Sequence, residues 1–236
     1  MKKIAATYSS IIHREKFAIK YFRSLRTAYW MRDAYRTPKN LTIITLHNYQ
    51  EKSLFEQSLE YLGIRDYVNI IEPFEGPWRH TLKIQFILNY LRSGKCKTKY
   101  LLYCDARDSI LRVDPQVVLD LFLLQKIHLL FNSSMSKRGF PAMPEILDWT
   151  RCHSPRPGRY LNAGAFIGLT DFIQRVFEEA MKYVDPTEYV VLATPEFDEL
   201  PECPKGADDQ IILRYLHPQF HPAMDIDYYN RIFYRN

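Results

Sequence analysis

The sequence predicts an α/β fold: one Rossmann-like domain with a mostly parallel central sheet, helices on both sides, and a more irregular C-terminal half. Three observations carry this. Short β-rich apolar runs alternate with stretches of helical periodicity four times in the first half of the chain. Several of those runs are continuous rather than alternating, as in strands buried on both faces. And 236 residues, 47% apolar and 14% aromatic, are enough for the core of one large domain, expected to span residues 1–236.

Taken in order, Ile4 to Tyr8 reads as a short strand, and the following stretch repeats Phe17, Tyr21, Phe22, Leu25 and Tyr29 at helical spacing. After the turn Thr37-Pro38-Lys39-Asn40, the run Leu41 to Leu46 is a strand buried on both faces. A helix carrying Leu54, Leu59 and Leu62 ends at Gly63, and Val68 to Ile71 is the next strand. His80 to Leu91 is helical in phase and stops at Ser-Gly-Lys, and Tyr100 to Cys104 is a strand that runs into Asp105. Beyond it, Val117 to Leu124 is a helix and Ile127 to Phe131 a strand. Ser133 to Arg159 is a long loop with a short helix at Pro144 to Trp149. Tyr160 to Leu169 is a strand, and Phe172 to Tyr183 and Asp209 to Tyr215 are helices.

The formal charge of +5 comes from 32 basic residues interspersed with 27 acidic ones. That balance favours a small anionic ligand over nucleic acid, which would need a concentrated basic face. Cys96, Cys104, Cys152 and Cys203 have neither metal-ligand spacing nor the density of a disulfide scaffold, so they read as free thiols in a reducing compartment. The apolar stretch Ile4 to Ala6 is too brief for a signal-peptide core, and no apolar run is long enough to cross a bilayer, so the expected location is cytoplasmic.

Three segments have the composition of a site. Asp105-Ala106-Arg107-Asp108 follows a strand, at the sheet edge where α/β folds bind ligands. Two carboxylates three positions apart in a turn can converge on one hard cation; the alternative is that Asp105 caps the next segment while Asp108 faces solvent. In Tyr160-Leu161-Asn162-Ala163-Gly164-Ala165-Phe166-Ile167-Gly168, small residues let backbone approach a bound sugar and the Asn162 amide can meet hydroxyls; the alternative is a strand with a bulge. Asp208-Asp209-Gln210 either caps a helix or supplies a general base or a stabilising charge. Trp78, Arg79 and Lys83 start the helix leading to the Asp105 strand, from which a cation could reach a diphosphate.

The order of these segments, closed by Asp227 with Ile232-Phe233, resembles the glycosyltransferase domain of the procollagen lysyl hydroxylases and collagen hydroxylysine glycosyltransferases. The motifs cover Tyr100 to Asn236, with a compatible βα pattern before them. The resemblance implies a GT-A fold, with residues 1–110 as the nucleotide-binding half and 111–236 as the sugar and acceptor half. It implies a hexosyltransferase using a UDP-sugar and Mn²⁺ (or Mg²⁺), with a glycan, small-molecule or protein acceptor. Asp105 and Asp108 match the family's metal pair, and Asp208 and Asp209 its catalytic acidic pair. Thr7 and Tyr8 match the region contacting the nucleoside, Arg107 the position of a base-stacking aromatic, and Asn162 and Gly164 the sugar-facing strand. Gln210 and Lys83 complete the expected donor site.

Two departures stand against this pattern. The family completes its metal site with a histidine in a glycine-rich segment beyond the last strand; no such segment is present up to Asn236, so His217 or His221 would have to substitute. There is also no hydroxylase region, hence no reason to infer collagen as acceptor. An aspartyl-phosphate phosphatase needs its two acids two positions apart, not three. A nucleotidyltransferase needs a glycine-rich loop, and Thr7-Tyr8-Ser9-Ser10 has no glycine. The remaining alternative is a non-catalytic scaffold of GT-A type that binds a glycan or nucleotide.

Overall fold

A computed structural model of the chain describes residues 35–76, 78–137, 143–184 and 208–234. The expected strand at Ile4 to Tyr8, the helix after it and Cys203 lie outside the described residues. The elements in chain order are β1 Leu41–Thr45, α1 Leu54–Tyr61, β2 Tyr67–Asn69, α2 Leu82–Arg92, β3 Tyr100–Cys104 and α3 Pro115–Leu124. They continue with β4 Leu129–Ser134, α4 Pro144–His153, β5 Tyr160–Leu169, α5 Thr170–Met181, α6 Asp209–Phe220 and β6 Met224–Ile226.

Local chemistry sets the helix ends. Ser53 and Glu56 form a capping box at the start of α1, and Gly63, at φ 85°, follows its end in the left-handed region that glycine adopts without penalty. Asp114 caps α3 by accepting from Gln116 N, with Pro115 at the first helical position. Asp208 caps α6 in the same way, through Ile211 N at 2.9 Å.

The six strands form one sheet in the order β2-β1-β3-β5-β4-β6. Two adjacent rows cross it: Ile43, Leu102, Ile167 and Leu130 in one, and Ile44, Tyr103, Phe166, Phe131 and Ile226 in the next. Because neighbouring residues on a strand point to opposite faces, burial of both rows means that both faces are covered by helices. On one face, Tyr103 stacks on Phe166, which also meets Phe131 and Phe177, with the apolar residues of α2, α5 and α6 around them.

The sheet is mixed, not mostly parallel. β1 pairs in parallel with β2 and β3, and β4 with β6, but β5 runs antiparallel to both β3 and β4. The reason is the long connection between Ser134 and Tyr160. These two residues pair with each other, so the chain leaves and re-enters the sheet at the same edge, and β5 returns in reverse. Doubly buried strands carry no sequence signal of direction, since parallel and antiparallel neighbours demand the same apolar run.

Cys96, Cys104 and Cys152 are free thiols. None of the described helices is long and apolar enough to cross a membrane.

Candidate active site

β1, β3, β4 and β6 all end at one edge, and antiparallel β5 begins there. Asp105 is the first residue beyond β3. Its backbone N donates to Gly164 O at 2.7 Å, and its Oδ1 accepts from the Tyr103 hydroxyl at 2.6 Å. Gly164 belongs to a bulge: Ala163 to Ala165 of β5 stand opposite the single step from Phe131 to Asn132 of β4, so β5 bends over the tip of β3. Of the two alternatives for this segment, the bulged strand is what the structure shows.

Two side-chain ends close on the bare Cα of Gly164. A Cβ there would lie 2.9 Å from Asn162 Oδ1 and 3.0 Å from Asp105 Oδ2. The Asn162 side chain is fixed at both ends: Oδ1 accepts from Gly164 N at 3.1 Å and from Asn132 Nδ2 at 3.4 Å, and Nδ2 donates to Gln210 Oε1 at 2.8 Å.

Lys83, on the second residue of α2, is buried and joins the motifs. Its ammonium lies 3.0 Å from Asp105 Oδ1 and 2.7 Å from Asp209 Oδ2, donates to Ala163 O at 3.3 Å, and sits 5.3 Å from the centre of the Tyr103 ring. Burial alone would disfavour the charged ammonium. The charges of Asp105 and Asp209 more than offset this and hold its pKa above the usual lysine range. Burial, reinforced by the Asp105 charge, raises the Tyr103 phenol well above its ordinary value, so it remains a hydrogen-bond donor. One ammonium against two carboxylates leaves this cluster at net −1.

The two members of the acidic pair differ. Asp208 accepts from Ile211 N as the cap of α6, whereas Asp209, on the first residue of the helix, points at Lys83. Arg107 and Asp108 are exposed in the turn after Asp105. That loop is anchored on α1, where Phe55 N donates to Ala106 O at 3.3 Å and Leu111 N to Ser58 Oγ at 2.9 Å. Thr7 and Tyr8 lie outside the described residues.

His217 and His221 do not complete this cluster. They stand about 12 and 18 Å along α6 from Asp209 at a helical rise of 1.5 Å per residue. His217 instead packs edge-on to Trp149 and lies 3.9 Å from Asp225, which is level with Leu130, Ile167 and Leu102, three residues before Asp105. Among the described residues no three His, Cys, Asp or Glu side chains form a group that could hold a metal ion.

Residues outside the three motifs also hold this region. Tyr103 looks like any other core residue of β3. His47, just beyond β1, is buried with Nε2 2.6 Å from Glu56 Oε2, and exposed Tyr49 stacks on its ring at 4.9 Å. Arg214 of α6 is almost wholly buried; its Nε donates to Leu161 O at 2.9 Å and its Nη2 to Ser136 O at 2.8 Å, tying the start of β5 to the end of β4. A buried cation on a helix has no sequence mark beyond its own identity.

No protein-family model matches the chain, and no curated protein matches it.

Proposed function

We propose that the chain is a metal-dependent glycosyltransferase of GT-A type, transferring a hexose from a UDP-sugar to a hydroxyl on a glycan, small molecule or protein. The observation that carries this reading is the meeting at one sheet edge of three motifs far apart in sequence. Asp105 bonds Gly164 of the β5 bulge directly, and Lys83 contacts Asp105, the bulge at Ala163 and Asp209. The mixed six-stranded sheet flanked by helices is compatible with a Rossmann-like fold.

Carboxylate oxygens of this kind suit a hard divalent cation. Asp105 Oδ1 is engaged by Tyr103 and Lys83, while Oδ2 lies over the bare Cα of Gly164, and Asp108 is exposed in the same turn. Mg²⁺-like ions are held by one or two carboxylates together with substrate phosphates and water. A cation bound by Asp105 and Asp108 would neutralise the charge of the departing diphosphate.

In the transfer, the acceptor oxygen bonds to the anomeric carbon as the bond from that carbon to the diphosphate oxygen breaks. The diphosphate leaves with the electron pair, and the acceptor proton passes to a base. The protein's own groups prepare this. Lys83 fixes Asp105 and holds the Asp209 carboxylate at 2.7 Å, where Asp209 would serve as base or as a charge facing the oxocarbenium-like centre. Asn162 holds Gln210 by its carbonyl, leaving the Gln210 amide nitrogen to donate to sugar hydroxyls. Tyr49, exposed beyond the end of β1, the strand next to β3, would offer a stacking face to the base.

Calorimetry with UDP and UDP-hexoses, with and without Mn²⁺, tests the reading. Binding that requires the metal and is lost in Asp105→Ala is the expected result. Binding indifferent to both identifies a non-catalytic scaffold, and absence of nucleotide binding overturns the reading.

A further inference from the structure

We infer that the edge formed by the ends of β4 and β6 is a glycan-binding face that takes a carboxylate-bearing sugar chain, the acceptor of the site above. The term acceptor rests on the transferase reading; the face itself rests on its own geometry. β4 and β6 pair in parallel, so Met135 and Tyr229 leave the sheet at the same edge as Asp105. The strand order separates β3 from β6 by three inter-strand steps, about 14 Å. A short oligosaccharide bridges that span.

The turn after β6 is built to present side chains outward. Buried Asp227 accepts from the backbone N of Arg231, Ile232 and Phe233 at 2.9, 2.7 and 2.8 Å, and its own N donates to Phe131 O at 2.8 Å. Ser133 Oγ donates to Asn230 Oδ1 at 3.0 Å, pinning the turn to β4. With Phe233 turned inward, Tyr229 is 54% exposed and Met135 75%, large apolar side chains left open on a rigid support. Arg231 lies with its guanidinium 5.5 Å from the centre of the Tyr229 ring. Exposed Arg156, from the loop before β5, donates to Tyr228 O at 3.4 Å.

Charge selects the occupant. Asp227 is the one acidic residue in 227–234, and backbone donors consume it; 154–159 contains none. The face therefore offers an open aromatic ring beside two guanidinium groups. Ring faces pack on the C–H faces of sugars, and the planar guanidinium fork matches a carboxylate.

Calorimetry of the full chain with tetragalacturonate and with its fully methyl-esterified form tests this, since the two share a backbone and differ in charge. The acidic tetramer is expected to bind at least about tenfold more tightly than the ester, the scale of one charge-assisted bidentate contact. Tyr229→Ala and the pair Arg156→Gln with Arg231→Gln each lower that affinity several-fold, Tyr229→Phe preserves it, and all keep UDP–Mn²⁺ binding. Equal binding of acid and ester, indifference to these substitutions, or binding to phosphatidylglycerol vesicles without binding to the tetramer overturns the inference. Tetramer binding without any UDP binding sinks the transferase reading and leaves the glycan face standing.

Discussion

Lys83 Nζ lies 2.7 Å from Asp209 Oδ2 and so ties the first turn of α6 to the tip of β3, where the same ammonium meets Asp105 at 3.0 Å. Removing it strands a carboxylate that is almost wholly buried. Lys83→Met is expected to destabilise the fold by about 3–5 kcal/mol, the scale for breaking a buried pair by deleting one partner. Most of that loss falls on Asp209, because Asp105 is about a third exposed and screened by water. Urea unfolding measures it, and Lys83→Met with Asp209→Leu should recover much of the loss. A loss below about 1 kcal/mol in the single variant, the scale of a surface pair, would show that the contact carries little.

Two glycines of β5 separate function from packing. At Gly164 a new Cβ would press on the ends of two side chains, Asn162 and Asp105, which can give by a few tenths of an ångström while loosening the contacts that hold them. Gly164→Ala should therefore cost under about 1 kcal/mol of stability while weakening metal-dependent nucleotide binding. At Gly168 the Cβ would lie 2.7 Å from His128 O, a backbone atom that cannot yield alone. Gly168→Ala should lose about 1–3 kcal/mol in unfolding and leave nucleotide affinity unchanged. The reverse pattern would contradict the placement of the site.

Burial, reinforced by His221 and His153, lowers the pKa of His217 from 6.5 to about 3. The unfolded chain takes up this proton below pH 6.5, whereas the folded chain resists until about pH 3. Between those limits the unfolded state binds more protons, so stability rises with pH. The contribution is complete above about 6.5 and shrinks as pH falls, by about 1.4 kcal/mol per pH step at most. Unfolding free energies from pH 7 to pH 4 should slope less steeply in His217→Leu than in the parent; equal slopes refute the assignment.

Thiol reactivity should divide the cysteines. Burial, then the Asp105 charge, raises the pKa of Cys104, while Cys152 is exposed on α4. Because the thiolate is the nucleophile, iodoacetamide should label Cys152 in the native protein and Cys104 only after unfolding. Mass spectrometry of the labelled peptides reads this directly.

Much of the architecture was legible in the chain because periodicity and end signals survive without context. The runs at Leu41, Tyr100 and Tyr160 are strands, Gly63 follows the end of α1, and Asp208 caps α6, one of the two roles its segment allowed. Strand direction was not legible, since β5 needs the same apolar residues either way round. β6 is three residues long, too short for a periodic signal. In the site, Asp105, Asn162, Gly164, Asp209 and Gln210 come together as their motifs implied, and Lys83 joins them from α2. Its burial was not legible, because a lysine near a helix start reads equally well as solvated. Tyr103 was hidden because a tyrosine in an apolar run reads as core, and Arg214 because it meets Ser136 across 78 positions that only the folded chain brings together.

Release of free sugar from a radiolabelled UDP-hexose in the presence of Mn²⁺ probes the central claim most directly, since slow transfer to water requires no knowledge of the acceptor. The account predicts hexose and UDP in equal amounts, production that stops on chelation, and loss of at least about a hundredfold in Asp105→Asn, the scale of removing one strong electrostatic contact at a reacting centre. Intact donor after prolonged incubation with a folded protein that also fails to bind UDP would contradict it.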